Sequence, residues 1–321
     1  MIKYLLVLIA FIIGICPAHT LGQSLFAVDK TRGEWTLVVI PDTQGYIEDW
    51  GEEGYHYSEM AATFDWILEK SDALNIKVIQ SVGDMVENNN DLEWRRVVDV
   101  YYPLIDSGIP TIPCAGNHEW KDGGGNGDYS FMNKYFPLSM FENESWWGGN
   151  FPKDGIQNSY QIFTISGQDY LFLTLQWKPG SPEVGAQDAV NWAEKIIKDN
   201  PDKIVILTSH WNKDQEHFHQ LVDVYPNIKI TLAGHKCAEE YWISNERTHN
   251  FVQDYQCQGI SKGPGGLMEI RFFIFKPMDD KVEWYTYSAI ANDGKGAFIS
   301  RNEVSQGSFE LVQNDPSPNG H

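Results

Sequence analysis

The sequence is poor in positive charge. Its 24 Lys and Arg residues stand against 44 Asp and Glu, which gives a formal net charge of −20 over 321 residues. An acidic body repels polyanions, so this balance argues against a nucleic acid partner. Hydrophobic residues at 42% and charged residues at 21% are typical of a folded chain and argue against extensive disorder.

Apolar runs of membrane-spanning length are also missing. Residues 4–15 form an apolar run after Lys3, and small and polar residues follow it. Such a run is shorter than the roughly 20 residues that a span needs, and it predicts a signal peptide over residues 1–22. An uncleaved anchor is the alternative. We therefore expect a secreted or extracytoplasmic protein, periplasmic if bacterial, with no stable span in the mature chain, a single domain over residues 23–312 and a loose polar tail over 313–321.

Cysteines are few. If the signal peptide is removed, Cys114, Cys237 and Cys257 remain, so at most one disulfide forms within the chain. The pair Cys237 and Cys257 suits an oxidising compartment. Cys114 lies in a strand-like run and is predicted to be a buried apolar side chain.

Apolar β-rich segments alternate with helical patterns through the first two thirds of the chain, and further strands follow. This alternation predicts a layered α/β sandwich. Asp91 is the expected N-cap of the helix at 91–105, and residues 119–157 are expected to be a long irregular stretch. Strands are predicted at 35–40, 77–82, 109–115, 160–165, 170–176, 203–208, 228–232, 251–255, 267–275 and 281–287, and helices at 57–74, 91–105, 187–198 and 216–225.

Five of the predicted strands end in polar clusters whose side chains can bind metals. Ligands of open α/β sheets bind at the carboxyl ends of strands, so these clusters are expected to meet there. Each cluster alone is an ordinary turn, but five together indicate a site. The clusters are Asp42-Thr43-Gln44, Gly83-Asp84, Gly116-Asn117-His118-Glu119, Ser209-His210 and Gly234-His235-Lys236-Cys237.

This set resembles the calcineurin-like metallophosphoesterases, whose pattern is Asp-x-His, Gly-Asp, Gly-Asn-His-Glu or Asp, a lone His, and Gly-His-x-His. The resemblance spans residues 42–237 and implies an α/β/β/α sandwich of mixed sheets that binds one or two divalent ions (Mn, Zn, Fe or Mg). By this resemblance Asp84 bridges two metals, and Asn117, His210 and His235 complete one site. Asp42 serves the other site.

The same resemblance assigns the chemistry. A metal-activated water would attack the phosphorus of a phosphomonoester or phosphodiester, in a small-molecule, glycan or lipid substrate. His118 would act as acid or charge stabiliser and would not bind metal. Glu119 either orients His118 or a metal-ligating neighbour from behind, or is a solvated loop acid.

Two positions depart from the family pattern, and both fall on the Asp42 site. Gln44 replaces one histidine and Cys237 replaces another. Gln is a poorer transition-metal ligand than imidazole, whereas a Cys thiolate binds zinc well unless it is in a disulfide. We therefore expect a weaker second site at Asp42, Gln44 and Asp84, suited to manganese, magnesium or calcium.

These departures leave two alternatives to a full enzyme: a weakened one-metal hydrolase, or a non-catalytic binding module. They also resemble a secreted branch of the family. That branch carries Asp-Thr-Gln in the first motif, Asp-Tyr-Gln near Gly-Gly, and a late Thr-Tyr-Ser, as in residues 254–256, 265–266 and 286–288 here.

Several other side chains have both a functional and a structural interpretation. Histidines elsewhere could replace the lost ligands, although a surface position is favoured for the pair on the 216–225 helix. Tryptophans of the long loop could line a substrate cleft or anchor the loop by packing. Lys236 could meet a phosphate oxygen or lie in solvent. The residues concerned are His56, His217, His219, His249, Trp120, Trp146 and Trp147.

Overall fold

A computed structural model describes residues 28–49, 56–120, 128–182, 186–213, 215–256 and 267–311. The predicted signal peptide, the predicted tail, Cys257 and the Gly265-Gly266 pair lie outside the described residues. No helix in the described ranges has both the length and the apolar character needed to cross a membrane.

The described residues form two mixed β-sheets of seven strands each. In the first, β1, β2 and β3 run parallel, and β11 lies antiparallel to β1. The order is β13-β12-β11-β1-β2-β3, with β14 also paired to β12. The strands are β1 (Trp35–Ile40), β2 (Ile76–Ser81), β3 (Thr111–Ile112), β11 (Ile270–Lys276), β12 (Lys281–Ser288), β13 (Ala297–Phe298) and β14 (Gln306–Glu310).

The second sheet has the order β4-β5-β6-β7-β8-β10-β9. Its central strands β6, β7, β8 and β10 are parallel, and its edges are antiparallel. The strands are β4 (Trp147–Phe151), β5 (Asn158–Ile165), β6 (Gln168–Leu175), β7 (Ile204–Ser209), β8 (Ile228–Ala233), β9 (Glu239–Ser244) and β10 (Thr248–Gln253).

The helices are those expected from the pattern together with several short ones. They are α1 (Gln44–Glu48), α2 (Tyr57–Lys70), α3 (Asp91–Asp106), α4 (Ser130–Tyr135), α5 (Ala189–Lys198), α6 (Glu216–Val224) and α7 (Ala291–Gly294), with 3-10 turns at Lys30–Arg32, Leu138–Met140 and Pro277–Asp279.

Alternating side chains of the strands divide the core into three apolar clusters, one between the two sheets and one on the outer face of each sheet. On β1, Leu37 and Val39 face the space between the sheets, whereas Val38 and Ile40 face a cluster that includes apolar residues of α2 and α3. The second sheet repeats this division, with alternate β6 residues packing against α5 and α6. The layers are therefore helix, sheet, sheet and helix, and the predicted α/β sandwich of mixed sheets is confirmed.

Two local predictions are wrong. The stretch at 119–157 is not irregular throughout, because it contains α4 and β4. The N-cap of α3 is Asn90, whose Oδ1 accepts the N–H groups of Leu92 and Glu93, both at 3.0 Å. Asp91 is the first helical residue, where its carboxylate lies at the positive end of the helix dipole.

Candidate metal centre

The carboxyl ends of six strands meet at one edge of the two sheets. In the first sheet, β1, β2 and β3 lead into Asp42, Asp84 and Asn117. In the second, β7 and β8 lead into His210 and His235. The structure thus brings the five predicted clusters together. The sixth strand, β10, is parallel to β8 and ends just before Asp254.

Asp84 lies at the centre of this edge. Its side chain is buried, and its backbone has a φ of 50°, in the left-handed region that costs a residue with a side chain about 1–2 kcal/mol. Two neighbouring loops hold it in place. Its carbonyl accepts the N–H groups of Thr43 and Gln44 at 3.0 Å, and its Oδ1 accepts the N–H of His118 at 3.0 Å.

A glycine makes room for this carboxylate. A Cβ at Gly116 would lie 2.2 Å from Asp84 Oδ1, so any side chain there would displace it. Burial alone would raise the pKa of Asp84, but the neighbouring His210 and His118 outweigh burial and lower it.

The ring of His210 is oriented by the backbone of the strand beside it. Its Nδ1 lies 2.8 Å from the carbonyl oxygen of Val82 and donates a proton to it, which directs Nε2 into the site. Burial lowers the pKa of His210, but the charge of Asp84 outweighs burial and raises it. Three potential ligand atoms surround Nε2. Asp84 Oδ2 is 2.9 Å away, Asn117 Oδ1 is 3.1 Å away and His235 Nδ1 is 3.2 Å away. A buried histidine held in this tautomer is typical of a metal ligand.

We call Asp84, Asn117, His210 and His235 the imidazole half of the site. Three of them, Asp84, His210 and His235, have ligand atoms within 4.8 Å of one another. His235 has a φ of 70°, and its ring lies against Trp211 with centroids 4.9 Å apart. Burial, followed by the charge of His210, lowers the pKa of His235 to about 4, so its imidazole is neutral and can bind a metal. This set of nitrogen and oxygen donors fits a divalent transition metal.

Asp42 and Gln44 lie on the other side of Asp84. Asp42 Oδ2 accepts the backbone N–H of His235 at 2.9 Å, while Oδ1 has no donor. A Cβ at Gly234 would lie 1.8 Å from that Oδ1, so only glycine fits there. The Gln44 amide lies against Asp84, with Nε2 3.5 Å from Oδ2, and its Oε1 is buried without a donor.

Asp254 is a site residue that the sequence reasoning missed. It is 2% exposed, and its carboxyl group lies within hydrogen-bonding reach of that of Asp42. Burial, and then the charges of Asp254 and Asp84, raise the pKa of Asp42 well above its usual range. We call Asp42, Gln44, Asp84 and Asp254 the oxygen half of the site. The available signal was the Asp-Tyr-Gln run at residues 254–256, which the family resemblance includes without making Asp254 a ligand.

Cys237 is disulfide-bonded, and its partner is not among the described residues. A cysteine in a disulfide has no thiolate to offer a metal. Its backbone N–H instead donates to Asp254 Oδ2 at 2.7 Å, from a left-handed conformation with a φ of 50°. The predicted pairing with Cys257 falls on a residue outside the described ranges and stays a prediction. Cys114 is free and buried, as expected.

Glu119 is not a solvated loop acid. Its carboxylate is completely buried and accepts four backbone N–H groups, from Asp84, Met85, Val86 and Gly116, at 2.7 to 3.3 Å. Burial raises the pKa of Glu119 to about 7, whereas the four donors favour its charged form. Glu119 therefore fixes the loop that presents Asp84.

His118 lies at the open side of the site, with a quarter of its side chain exposed. Its Nδ1 donates to the carbonyl oxygen of Glu87 at 2.7 Å, which directs Nε2 inward to 4.0 Å from Asp84 Oδ2. Burial lowers the pKa of His118, but the charges of Asp84 and Glu87 outweigh this and raise it. A raised pKa favours the protonated ring that a general acid requires.

The remaining histidines lie elsewhere. His56 contacts Asp49 in front of α2, with Nδ1 3.2 Å from Oδ1. His217 is exposed on α6, and His219 lines a surface cavity beside Lys213. His249 is buried against Phe309. Among the described residues, none of the four joins the metal-ligating group.

The tryptophans of the long loop pack against other rings. Trp120 is buried between Tyr129 and Trp177, while Trp146 and Trp147 pack against Phe141. Packing is therefore the better interpretation of these tryptophans. Lys236 lies over Trp211, with Nζ 4.3 Å from the ring centroid.

Comparison with known proteins agrees with this geometry. The family model for calcineurin-like phosphoesterases matches residues 36–239. A protein of Bacillus subtilis (strain 168), the uncharacterized protein YvnB, is 26% identical over 310 residues. That match covers 85% of this chain but only 22% of YvnB, so the chain spans about a fifth of the length of this relative.

Among solved structures, a dimetal phosphatase from Danio rerio matches with a TM-score of 0.55 and 12% identity, over 83% of this chain and 98% of that one. A 5'-nucleotidase from Candida albicans matches with a TM-score of 0.46 and 12% identity, over 84% of this chain and 52% of that one. At 12% identity, the likeness to the dimetal phosphatase establishes the fold alone. The family match covers more than half of the chain, which therefore belongs to the calcineurin-like phosphoesterases.

Proposed function

We propose that this calcineurin-like phosphoesterase is an exported enzyme that hydrolyses a phosphomonoester or phosphodiester with the help of bound divalent cations. The observation that carries the proposal is the convergence of ligand atoms on His210 Nε2. Asp84 Oδ2, Asn117 Oδ1 and His235 Nδ1 lie 2.9, 3.1 and 3.2 Å from it. Donor atoms this close to one another would hold a single divalent cation in common.

The chemistry divides between cations and side chains. When bound, divalent cations polarise phosphoryl oxygens and lower the pKa of water, so that the water attacks phosphorus. The His118 ring, with Nε2 facing the site, donates its proton to the leaving oxygen as the bond from phosphorus to that oxygen breaks. Glu119 keeps the Asp84 loop in position through its four backbone contacts.

Positive charge beside the site supports an anionic substrate. Trp177 and Trp211 flank the His235 ring, with centroids 6.3 and 4.9 Å from it. Lys178 lies over Trp177 at 4.7 Å and Lys236 over Trp211 at 4.3 Å. On a chain with net charge −20, such local cations favour capture of a small phosphate ester over a long polyanion. A phosphate ester of a small molecule, a glycan or a lipid satisfies this requirement.

The test is hydrolysis of a generic aryl phosphate and an aryl phosphodiester by purified protein, with metal analysis of the same sample. We expect turnover of at least one ester, its loss on chelation, and its recovery with manganese, zinc or iron. Turnover with one metal per chain would favour the one-metal hydrolase. Metal binding without turnover of either ester, for wild type with every metal, would favour the binding module and contradict the proposal.

Export is supported by the apolar run at 4–15 and by the disulfide at Cys237, since stable disulfides form in oxidising compartments. We expect a mature chain that begins between about Ala18 and Ser24. N-terminal sequencing of secreted or periplasmic material checks this, and an intact Met1 would contradict it.

A further inference from the structure

We propose that Asp254 is a cation ligand, and that the oxygen half of the site binds a hard divalent cation of the manganese, magnesium or calcium class through oxygen atoms alone. This deepens the proposed function by assigning the second cation. Binding of that cation can nevertheless be measured without turnover, so the two proposals can fail separately.

The first argument is the number of oxygen atoms without a donor. Asp42 Oδ1 and Asp254 Oδ1 are both buried, and no N–H group or hydroxyl donates to either. The exposed fractions of these residues are 1% and 2%. Their carboxyl groups lie within hydrogen-bonding reach of each other, so the two oxygens need either a shared proton or a shared cation between them.

The second argument is charge. Asp42, Asp84 and Asp254 are three buried carboxylates in one place. Asp42 Oδ2 accepts the backbone N–H of His235 at 2.9 Å, and Asp254 Oδ2 accepts that of Cys237 at 2.7 Å. Those neutral donors orient the carboxylates but do not neutralise them. A divalent cation would do so.

The third argument is the disulfide. Cys237 is bonded and cannot supply a thiolate, so no soft ligand remains at this position. Its N–H instead fixes one oxygen of Asp254 and leaves the other unpartnered. The Gln44 amide adds a neutral oxygen, since rotation of the amide exchanges Oε1 with the Nε2 that lies 3.5 Å from Asp84 Oδ2. Three carboxylates and one amide form an oxygen-only set, which hard cations prefer.

Calorimetric titration of metal-free protein with calcium, magnesium or manganese tests the proposal on three proteins: wild type, Asp254→Asn and Asp65→Asn. Asparagine retains an oxygen that can accept the Cys237 N–H, so the variant removes a charge with little change of shape. Asp65 is an exposed aspartate on α2 and serves as the matched control.

We expect Asp254→Asn to weaken binding of at least one of these hard cations by about tenfold or more, while zinc at the imidazole half is retained and Asp65→Asn behaves as wild type. The melting temperature of metal-free Asp254→Asn should equal or exceed that of wild type, because one of three repelling charges is gone. Unchanged cation affinity would overturn the proposal. A lower melting temperature of the metal-free variant with an unchanged cation-induced shift would overturn it too, because Asp254 would then be a structural residue.

The ester assay on wild type keeps the two proposals apart. Cation binding that depends on Asp254, in a protein that hydrolyses neither ester, would refute the proposed function and support the site. If wild type hydrolyses an ester and Asp254→Asn leaves the hard-cation affinity unchanged, the proposed function is supported and the assignment of Asp254 as a ligand is refuted.

Discussion

The two halves of the site share Asp84 but are organised by different forces. In the imidazole half, backbone carbonyl hydrogen bonding fixes the tautomer of His210, and the surrounding ligand atoms form hydrogen bonds with one another. In the oxygen half, backbone N–H groups hold Asp42 and Asp254 side by side although their charges repel. The imidazole half is therefore preorganised without metal, whereas the oxygen half gains its stability from the cation. We expect the imidazole half to fill first.

Replacing the shared carboxylate, Asp84, should weaken metal binding in both halves at once. Asp84→Asn removes the one charge that serves both, so we expect both metals to weaken and turnover to fall by more than the roughly 10²–10⁴-fold that loss of a general acid costs. Metal content per chain and kcat, measured on the same preparation, check this. Retention of both metals by Asp84→Asn would contradict the bridging role.

His118 belongs to neither half, and its replacement should separate chemistry from binding. His118→Ala is expected to lower kcat by roughly 10²–10⁴-fold while metal content stays near that of wild type. An ester with a better leaving group should suffer less, since it needs less protonation. If the variant loses metal instead, His118 is a ligand and the assignment is wrong.

Gln44→His should give the oxygen half a nitrogen ligand, as the imidazole half already has. An imidazole beside Asp42 and Asp84 adds a nitrogen donor, so we expect zinc or iron to bind the second site about tenfold more tightly. Competition with a chromogenic chelator measures this affinity. An unchanged second zinc affinity would mean that residue 44 does not face the cation.

His249 provides a baseline for a buried histidine away from the metals. Burial, and then the charge of Lys229, lower its pKa from 6.5 to about 4, so the unfolded chain binds this proton more readily than the folded one. The contribution of His249 to the free energy of unfolding is fully present above pH 6.5 and is lost as the pH falls toward 4. The loss is about 1 kcal/mol between pH 6.5 and 5.5.

Urea unfolding of metal-free protein at these two pH values checks the baseline, and His249→Phe should remove this component. The His249 ring stacks on Phe309 with centroids 3.7 Å apart, so a phenylalanine ring suits the position. The replacement loses only the hydrogen bond between His249 Nδ1 and the Tyr241 hydroxyl. An unchanged pH dependence in the variant would show that another group titrates.

Much of this site could be read from the sequence, because each ligand cluster follows an apolar strand and glycine permits the close approach. Asp254 could not be placed in the same way. The strand was expected to run through residue 255, which would put Asp254 inside it, whereas β10 ends at Gln253. Its parallel pairing with β8 depends on the direction of β9, and no local pattern reveals that contact.

The disulfide is a second case. The sequence left Cys237 either as a ligand or as a bonded residue, and only the folded chain distinguishes the two. The short elements α4 and β4 were missed for a related reason. Pairing with β5 stabilises β4, and contacts with α3, such as the stacking of Tyr135 on Trp94, stabilise α4, more than their own residue patterns do.

The ligands of the oxygen half lie far apart along the chain, and Asp42 and Asp254 are separated by 212 residues in sequence number. Closing so long a loop is entropically costly and places the site among the late events of folding. A cation that needs both residues cannot bind an incomplete chain, and it slows unfolding only once the last parallel strand is in place. If the chain is exported, as proposed above, the metal content of the compartment in which it folds would then set how long the finished fold persists.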